Sequence, residues 1–215
     1  FRLVTPQGEA QVVLPLAGEF NVSNALVAAG CAIELGIDLG RVVAGLEAVD
    51  QIPGRYEIVQ GPKPFLVVVD YAHTPEGVES VVATARATCK GSIAVVLGAG
   101  GDRDRSKRPA MGKAASAADR FFLTSDNPRS ESPAEIIEAV RAGVETASVE
   151  LVVEADRRTA IRLALESAGP GDTVLVLGKG HEQGQEIDGR ILEFDDRKVV
   201  AEEIALMEEA PCSPC

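Results

Sequence analysis

The sequence predicts an α/β fold, a mostly parallel sheet with helices on both faces, preceded by a smaller segment of different pattern. Short apolar, β-branched runs recur at residues 65–69, 93–97, 120–123, 149–153 and 173–177. Stretches of helical periodicity separate them, long enough to serve as crossovers between parallel strands. Most of these runs end in a cluster of glycine, amide or charged residues, and in open α/β sheets ligands bind outside the carboxyl ends of the strands.

The elements follow in order. Residues 2–5 and 10–14 read as strands joined by the turn Pro6-Gln7-Gly8. Asn21 to Asn24 opens a helix of small apolar residues that reaches about Leu35 and stops at Gly36. A second helix covers about residues 39–49, and Pro53-Gly54-Arg55 then breaks the pattern as linkers do, which predicts a boundary between residues 1–53 and 54–215. Beyond it the strand at 65–69 ends in Asp70-Tyr71-Ala72-His73 and leads to a helix at 75–88. The strand at 93–97 leads to a helix at 108–118, and the strand at 120–123 to a helix at 132–147. The strand at 149–153 leads to a helix at 156–168, and Pro170-Gly171-Asp172 introduces the strand at 173–177. A hairpin near 186–194 and a helix from Arg197 complete the pattern.

A net charge of −12 disfavours nucleic acid and anionic membrane as partners, because both polyanions are repelled. No apolar run approaches the ~20 residues that span a bilayer, so membrane insertion is not expected. The opening Phe1-Arg2-Leu3-Val4 has neither an initiator Met nor a signal-peptide pattern, and suggests a piece of a longer chain. Of the four cysteines, Cys31 and Cys89 read as buried or half-buried thiols, and Cys212 and Cys215 form a lone CxxC in a frayed tail. With two histidines and no second CxxC, no metal site is expected, and the cysteine usage fits a reducing cytoplasm.

Each polar cluster admits a plain and a functional reading. Asp70 and His73 either precede a helix capped by Thr74-Pro75 or touch a ribose or phosphate. Gly98, Gly100 and Gly101 with Asp102-Arg103 make either a tight turn or a loop that lets backbone approach a ligand. Their spacing matches neither a dinucleotide fingerprint nor a phosphate loop, which leaves a nicotinamide-dependent oxidoreductase the weakest functional class. The run Arg103, Arg105, Lys107, Arg108 favours an anionic group on the ligand. Asp126-Asn127-Pro128-Arg129 is either an Asx turn or a recognition loop, and only Arg supplies a rigid fork for a carboxylate. Gly178-Lys179-Gly180-His181-Glu182 is either a flexible turn or a place where Glu182 accepts an ammonium. Asn21 and Asn24 suit helix caps, or amides paired with an adenine edge. Arg129 and Glu182 together would satisfy a small molecule carrying both a carboxylate and an ammonium.

These segments, with Gly54-Arg55-Tyr56-Glu57 and Lys107-Arg108-Pro109, occur in the order found in the Mur ligases, and the chain resembles that family over its whole length. The Mur ligases are ATP-dependent enzymes that add amino acids in peptidoglycan synthesis. The resemblance implies that residues 1–53 are the C-terminal part of the central ATP-binding domain. Residues 54–215 would be the Rossmann-like C-terminal domain that binds the amino acid. It implies ATP contacts at Asn21, Asn24, Arg55 and Asp70, with His73 near the nucleotide as a catalytic residue. Arg103, Asp126, Asn127, Arg129, Gly178 and Glu182 would hold the incoming amino acid. The Asp-Asn-Pro-Arg form looks like the branch that selects meso-diaminopimelate and joins it to UDP-MurNAc-L-Ala-D-Glu through an acyl phosphate. ATP and Mg²⁺ are the implied cofactors. The family's Gly-Lys-Thr phosphate loop and magnesium ligands have no counterpart in this sequence. A non-catalytic amino-acid or nucleotide-binding module of the same fold is the competing class.

Overall fold

The computed structural model describes residues 1–59 and 64–209, and the Cys212–Cys215 pair lies outside them. The chain divides into two compact units, Phe1–Ile52 and Pro53–Cys215.

In the first unit, β1 (Arg2–Thr5) and β2 (Gly8–Gln11) form an antiparallel hairpin with Thr5 opposite Gly8. The two-residue turn at Pro6-Gln7 fixes that register, so β2 starts and ends earlier than its apolar pattern suggested. Helix α1 (Glu19–Glu34) is followed by α2 (Leu39–Glu47), whose N-cap Asp38 accepts a hydrogen bond from the Arg41 amide. Between them Gly36 takes φ +82°, the left-handed turn that lets the Ile37 amide reach back to the Ala32 carbonyl. Leu3, Val12, Ala29 and Val42 form the core of this unit. Asn21 and Asn24 are not caps. Both lie inside α1, which begins at Glu19 after Gly18, and Asn21 Nδ2 donates to the Ala17 carbonyl at 2.8 Å. Cys31, expected to be at least half-buried, is exposed on the same helix.

The second unit is built on a six-stranded sheet in the order β3-β4-β8-β5-β6-β7. Its strands are β3 (Glu57–Ile58), β4 (Leu66–Asp70), β5 (Ile93–Leu97), β6 (Arg120–Leu123), β7 (Glu150–Val153) and β8 (Thr173–Leu177). All pairings are parallel except that of β3, a two-residue edge with no pattern of its own that aligns Glu57 with Val69 and Ile58 with Val68. The helices are α3 (Pro75–Thr88), α4 (Arg108–Ala115), α5 (Pro133–Arg141), α6 (Arg157–Glu166) and α7 (Asp196–Glu209). Helices α3, α4 and α5 pack in succession, and α6 packs with α7. The central strands β5 and β8 are buried throughout, and apolar except for Thr173, because both of their faces are covered. One face sets Val67, Val69, Ala94, Val96, Val174 and Val176 against Ile161, Leu165, Val200 and Ile204 of α6 and α7.

Helices α4 and α5 stop furthest short of the expected bounds. Helix α4 closes at Ala115, where Ser116 Oγ bonds the Gly112 carbonyl and the Ala117 and Ala118 amides bond carbonyls three residues back. Helix α5 closes at Arg141, where the Gly143 and Val144 amides turn to the Val140 and Arg141 carbonyls three residues back, and a Cβ on Gly143 would lie 1.8 Å from the Pro109 carbonyl oxygen. Chain can pass there only as glycine. Gly54, expected as linker punctuation, is likewise a packing residue: at φ +66°, its Cβ position falls 2.1 Å from the His181 amide nitrogen.

The hairpin β9 (Gly184–Ile187) and β10 (Arg190–Glu193) stands apart from the main sheet. Asp188 (φ +49°) and Gly189 (φ +70°) make its tight turn, the left-handed pair that such two-residue hairpins require. Under the end of β8 lies a fully buried ion pair. Arg157 Nε and Nη2 donate to the two carboxylate oxygens of Asp196 at 2.8 and 2.7 Å, and Nη2 also donates to the Leu177 carbonyl at 2.9 Å. That pair joins the start of α6, the start of α7 and the last residue of β8.

Candidate functional site

The carboxyl ends of β4, β8, β5 and β6 open onto one cavity of about 440 Å³. It lies where the strand order reverses: the chain leaves β5 toward β6 and β7, then returns to place β8 between β4 and β5. That is the usual location of a ligand crevice in such a sheet. His73, Arg103, Asp126, Asn127, Arg129, Gly178 and Glu182 all line it, with Tyr71, Lys107 and Arg108. Arg55 and Asp70 do not line it, and Asn21 and Asn24 belong to the first unit.

At the end of β4, Asp70 is committed to backbone. Its Oδ2 accepts from the Tyr56 amide at 2.6 Å and its Oδ1 from the Ala72 amide at 2.7 Å. Burial pushes its carboxyl above the ordinary value, opposed by those two amides and by the nearby Arg55 and His73. The imidazole of His73 is exposed, and its Nδ1–H donates to the Tyr71 carbonyl at 2.7 Å, which leaves Nε2 as the free ring nitrogen. Tyr71 gathers an aromatic cluster, edge-on to His73 at 4.5 Å, tilted to His181 at 5.5 Å, with the Arg55 guanidinium 4.7 Å from its ring centre. Thr74 caps α3 by accepting from the Gly77 amide, and Pro75 takes the first helical position.

The glycines after β5 are dictated by neighbouring protein rather than by a ligand. A Cβ on Gly98 would lie 2.5 Å from the Thr124 carbonyl oxygen, and one on Gly101 would lie 1.9 Å from that of Pro128. The β5 and β6 loops are thus pressed together backbone to backbone. Glu131, which the motif analysis passed over, ties this corner. It accepts from Arg108 Nη1 and Nη2 at 3.0 and 2.9 Å and from the Asp102 amide at 2.6 Å, and it pairs with Arg105 at 2.9 Å. The Arg108 fork and the Asp102 amide pull its carboxyl down to about 2. Arg103 and Lys107 are exposed, line the cavity and have no side-chain partner among the described residues.

The loops after β6 and β8 form a closed polar network around Lys179, also unassigned from the sequence. Its side chain is fully buried, and Nζ donates to the Gly184 carbonyl at 2.6 Å, to Asn127 Oδ1 at 3.1 Å and to Glu182 Oε2 at 3.1 Å. Asn127 Oδ1 also accepts from the Glu186 amide at 3.0 Å, while its Nδ2 donates to Glu182 Oε2 at 2.8 Å. Both bonds to Glu182 fall on one oxygen, so Oε1 has no protein partner among the described residues. Gly178 (φ +110°) fits closely beside Asp126: a Cβ there would lie 2.6 Å from Asp126 Oδ2. Arg129 takes φ +52°, uncommon for a side chain. Its Nη1 donates to the Gly101 carbonyl at 2.6 Å, and its Nε faces Glu186 Oε2 at 3.2 Å. The rest of its donor fork is left for a ligand. Asn127 and Glu182 were candidates from the sequence, and a lysine between two glycines after an apolar strand was the sign of the residue that joins them.

Fold and cavity together define an α/β ligand-binding domain of the Mur ligase family. The profile of the Mur ligase glutamate ligase domain matches residues 54–180, and the chain belongs to that family. The chain is 48% identical over 209 residues to the UDP-N-acetylmuramoyl-L-alanyl-D-glutamate–2,6-diaminopimelate ligase of Alkalilimnicola ehrlichii, covering 97% of this chain and 41% of that protein. It is 46% identical over 200 residues to the ligase of the same name from Bacillus licheniformis, covering 93% and 41%. A solved structure of a ligase so named superposes with a TM-score of 0.72 at 40% identity, over 97% of this chain and 43% of that one. The chain spans about two fifths of the length of these relatives. No helix among the described residues is long and apolar enough to cross a membrane.

Proposed function

We propose that this chain is the C-terminal part of an ATP-dependent amide ligase that joins meso-diaminopimelate to UDP-MurNAc-L-Ala-D-Glu. Residues 1–53 then belong to the central ATP-binding domain and residues 54–215 form the amino-acid-binding domain. The observation that carries this reading is the complementary pair in the cavity: Glu182 with one carboxylate oxygen free, and Arg129 with the end of its fork free. Diaminopimelate has two ammonium groups and two carboxylates, and lysine lacks the second carboxylate. A bidentate Arg contact is worth most where such a group must be distinguished from nothing. The relatives named for this reaction support the same assignment.

The chemistry follows. The γ-phosphoryl group of ATP passes to the substrate carboxylate, giving an acyl phosphate and ADP. The amine of diaminopimelate, having lost a proton, attacks the carbonyl, and the C–O bond to phosphate breaks with its electron pair. Glu182 and Arg129 hold the amino acid so that this attack is effectively unimolecular. Unpaired Arg103 and Lys107 offset charge on the anionic partner. Arg55, Asp70, Asn21 and Asn24 remain the proposed nucleotide contacts, and His73 the proposed catalytic residue. Mg²⁺ would supply charge neutralisation in phosphoryl transfer. No group of three or more His, Cys, Asp or Glu among the described residues could hold it.

In the full-length protein, Arg129→Ala should raise KM for meso-diaminopimelate about 100-fold, equivalent to about 2.7 kcal/mol, and leave KM for ATP within about twofold. Equal losses for both substrates would overturn the assignment.

A further inference from the structure

Strand β9, read from the sequence only as part of a hairpin, touches Asp126, Asn127 and Arg129 of the recognition loop. The Gly184 carbonyl accepts from Lys179 Nζ at 2.6 Å. Gln185 Nε2 donates to the Asp126 carbonyl at 2.6 Å, and the Glu186 amide donates to Asn127 Oδ1 at 3.0 Å. The Glu186 carbonyl accepts from the Arg129 amide at 2.9 Å, Ile187 bridges Arg129 in parallel register, and the Asp188 amide donates to the Arg129 carbonyl at 2.8 Å. Arg129 thus sits in a left-handed conformation with its own amide and carbonyl both bound to β9 and the turn after it. Two groups grip its guanidinium: the Gly101 carbonyl at Nη1 and the Glu186 carboxylate at Nε. Glu186 therefore reaches Arg129 through backbone and side chain at once.

We infer that Glu186 is a positioning residue that sets amino-acid specificity, by orienting the Arg129 guanidinium so that its free end faces the cavity. This deepens the proposed function and rests on it. The geometry also separates two roles. A carboxylate covering the ligand-binding end of the fork would compete with substrate. Glu186 faces Nε, on the flank of the guanidinium, and a carboxylate there aims the fork. Glu186 is itself 41% exposed, and Arg129, at 22%, reaches solvent and keeps its bond to the Gly101 carbonyl, so the variants should fold.

The test uses the full-length protein, with meso-diaminopimelate and lysine as alternative substrates. Glu186→Gln keeps an acceptor oxygen without charge, and Glu186→Ala removes both. The expected result is a KM for meso-diaminopimelate raised roughly five- to tenfold in Glu186→Ala and less in Glu186→Gln. KM for ATP and kcat should be little changed. Preference for diaminopimelate over lysine should fall in proportion, because lysine uptake does not depend on the aimed fork. A lowered KM in either variant would mark Glu186 as a competitor and overturn the inference. So would an unchanged preference in both. If the wild-type protein used neither amino acid, the proposed function would fail and the inference with it. If the wild type used diaminopimelate but the variants kept its preference, only the inference would fail.

Discussion

Arg129 and Arg103 flank the same glycine and are held in opposite ways. A Cβ on Gly100 would lie 3.0 Å from Arg129 Nη1 and 3.6 Å from Arg103 Cγ, so both side chains pack beside this one glycine. Arg129 is gripped by the Gly101 carbonyl and Glu186, with its backbone bound to β9. Arg103 is exposed and has no partner among the described residues. The same residue type thus supplies a pre-aimed fork in one loop and an adaptable charge in the other. The rigid side suits a fixed carboxylate, since most of its ordering cost is met on folding. The mobile side suits a charge that forms or shifts during a reaction.

The strongest way to break that contrast is to dismantle the rigid side from beneath. Lys179→Met would leave the Gly184 carbonyl, Asn127 Oδ1 and Glu182 Oε2 short of a donor. A loss on the order of 3 kcal/mol in unfolding free energy is expected, with weakened amino-acid binding. Urea unfolding and titration with meso-diaminopimelate would check it. A stable variant that binds normally would show that the network is not what holds the rigid side. A smaller effect is expected at Arg103→Ala, where no native bond is broken. Stability should stay within about 0.5 kcal/mol of wild type, while turnover falls. If Arg103→Ala were as destabilising as Lys179→Met, the two sides would not differ as described.

A third effect, read in the pH dependence of stability, concerns Glu131, which ties the Asp102 amide beside Arg103. Its carboxyl lies near 2 in the folded protein, against an ordinary 4.5. A carboxylate depressed on folding contributes stability that is full above its unfolded value and is lost as pH falls toward its folded one. Glu131→Gln should therefore lower stability at neutral pH and flatten part of the decline between about pH 4.5 and 2. Urea midpoints across that range would show it. Parallel acid limbs in both proteins would remove Glu131 from the account.

Much of the second unit could be read from its apolar runs. The strands at 93–97, 120–123 and 173–177 have the expected bounds, because fully buried parallel strands are simple to recognise. What escaped detection depends on distant partners. β3 exists only because Glu57 and Ile58 find the open edge of β4. The glycine at 143, just past α5, is required by Pro109, more than thirty residues earlier in the chain. In the site, residues flanked by glycine or proline were visible as candidates, and the structure brings His73, Arg103, Asp126, Asn127, Arg129, Gly178 and Glu182 to one cavity. Lys179, Glu131 and Glu186 were not visible, since each acts on another side chain across a loop. Asn21 and Asn24 show the reverse error: a favoured cap residue was read as a cap, but the helix had begun two residues earlier than Asn21.

The strand order carries a consequence for how the molecule is made. β8 is the last strand of the main sheet in sequence, yet it fills the central gap between β4 and β5. A growing polypeptide halted before residue 173 would hold two long unpaired edges and no crevice. Such late, long-range pairing is slow and leaves the intermediate prone to sticking to its own kind. Assembly of the cleft is therefore postponed until β8 has been synthesised, and a product truncated before it has no crevice at all.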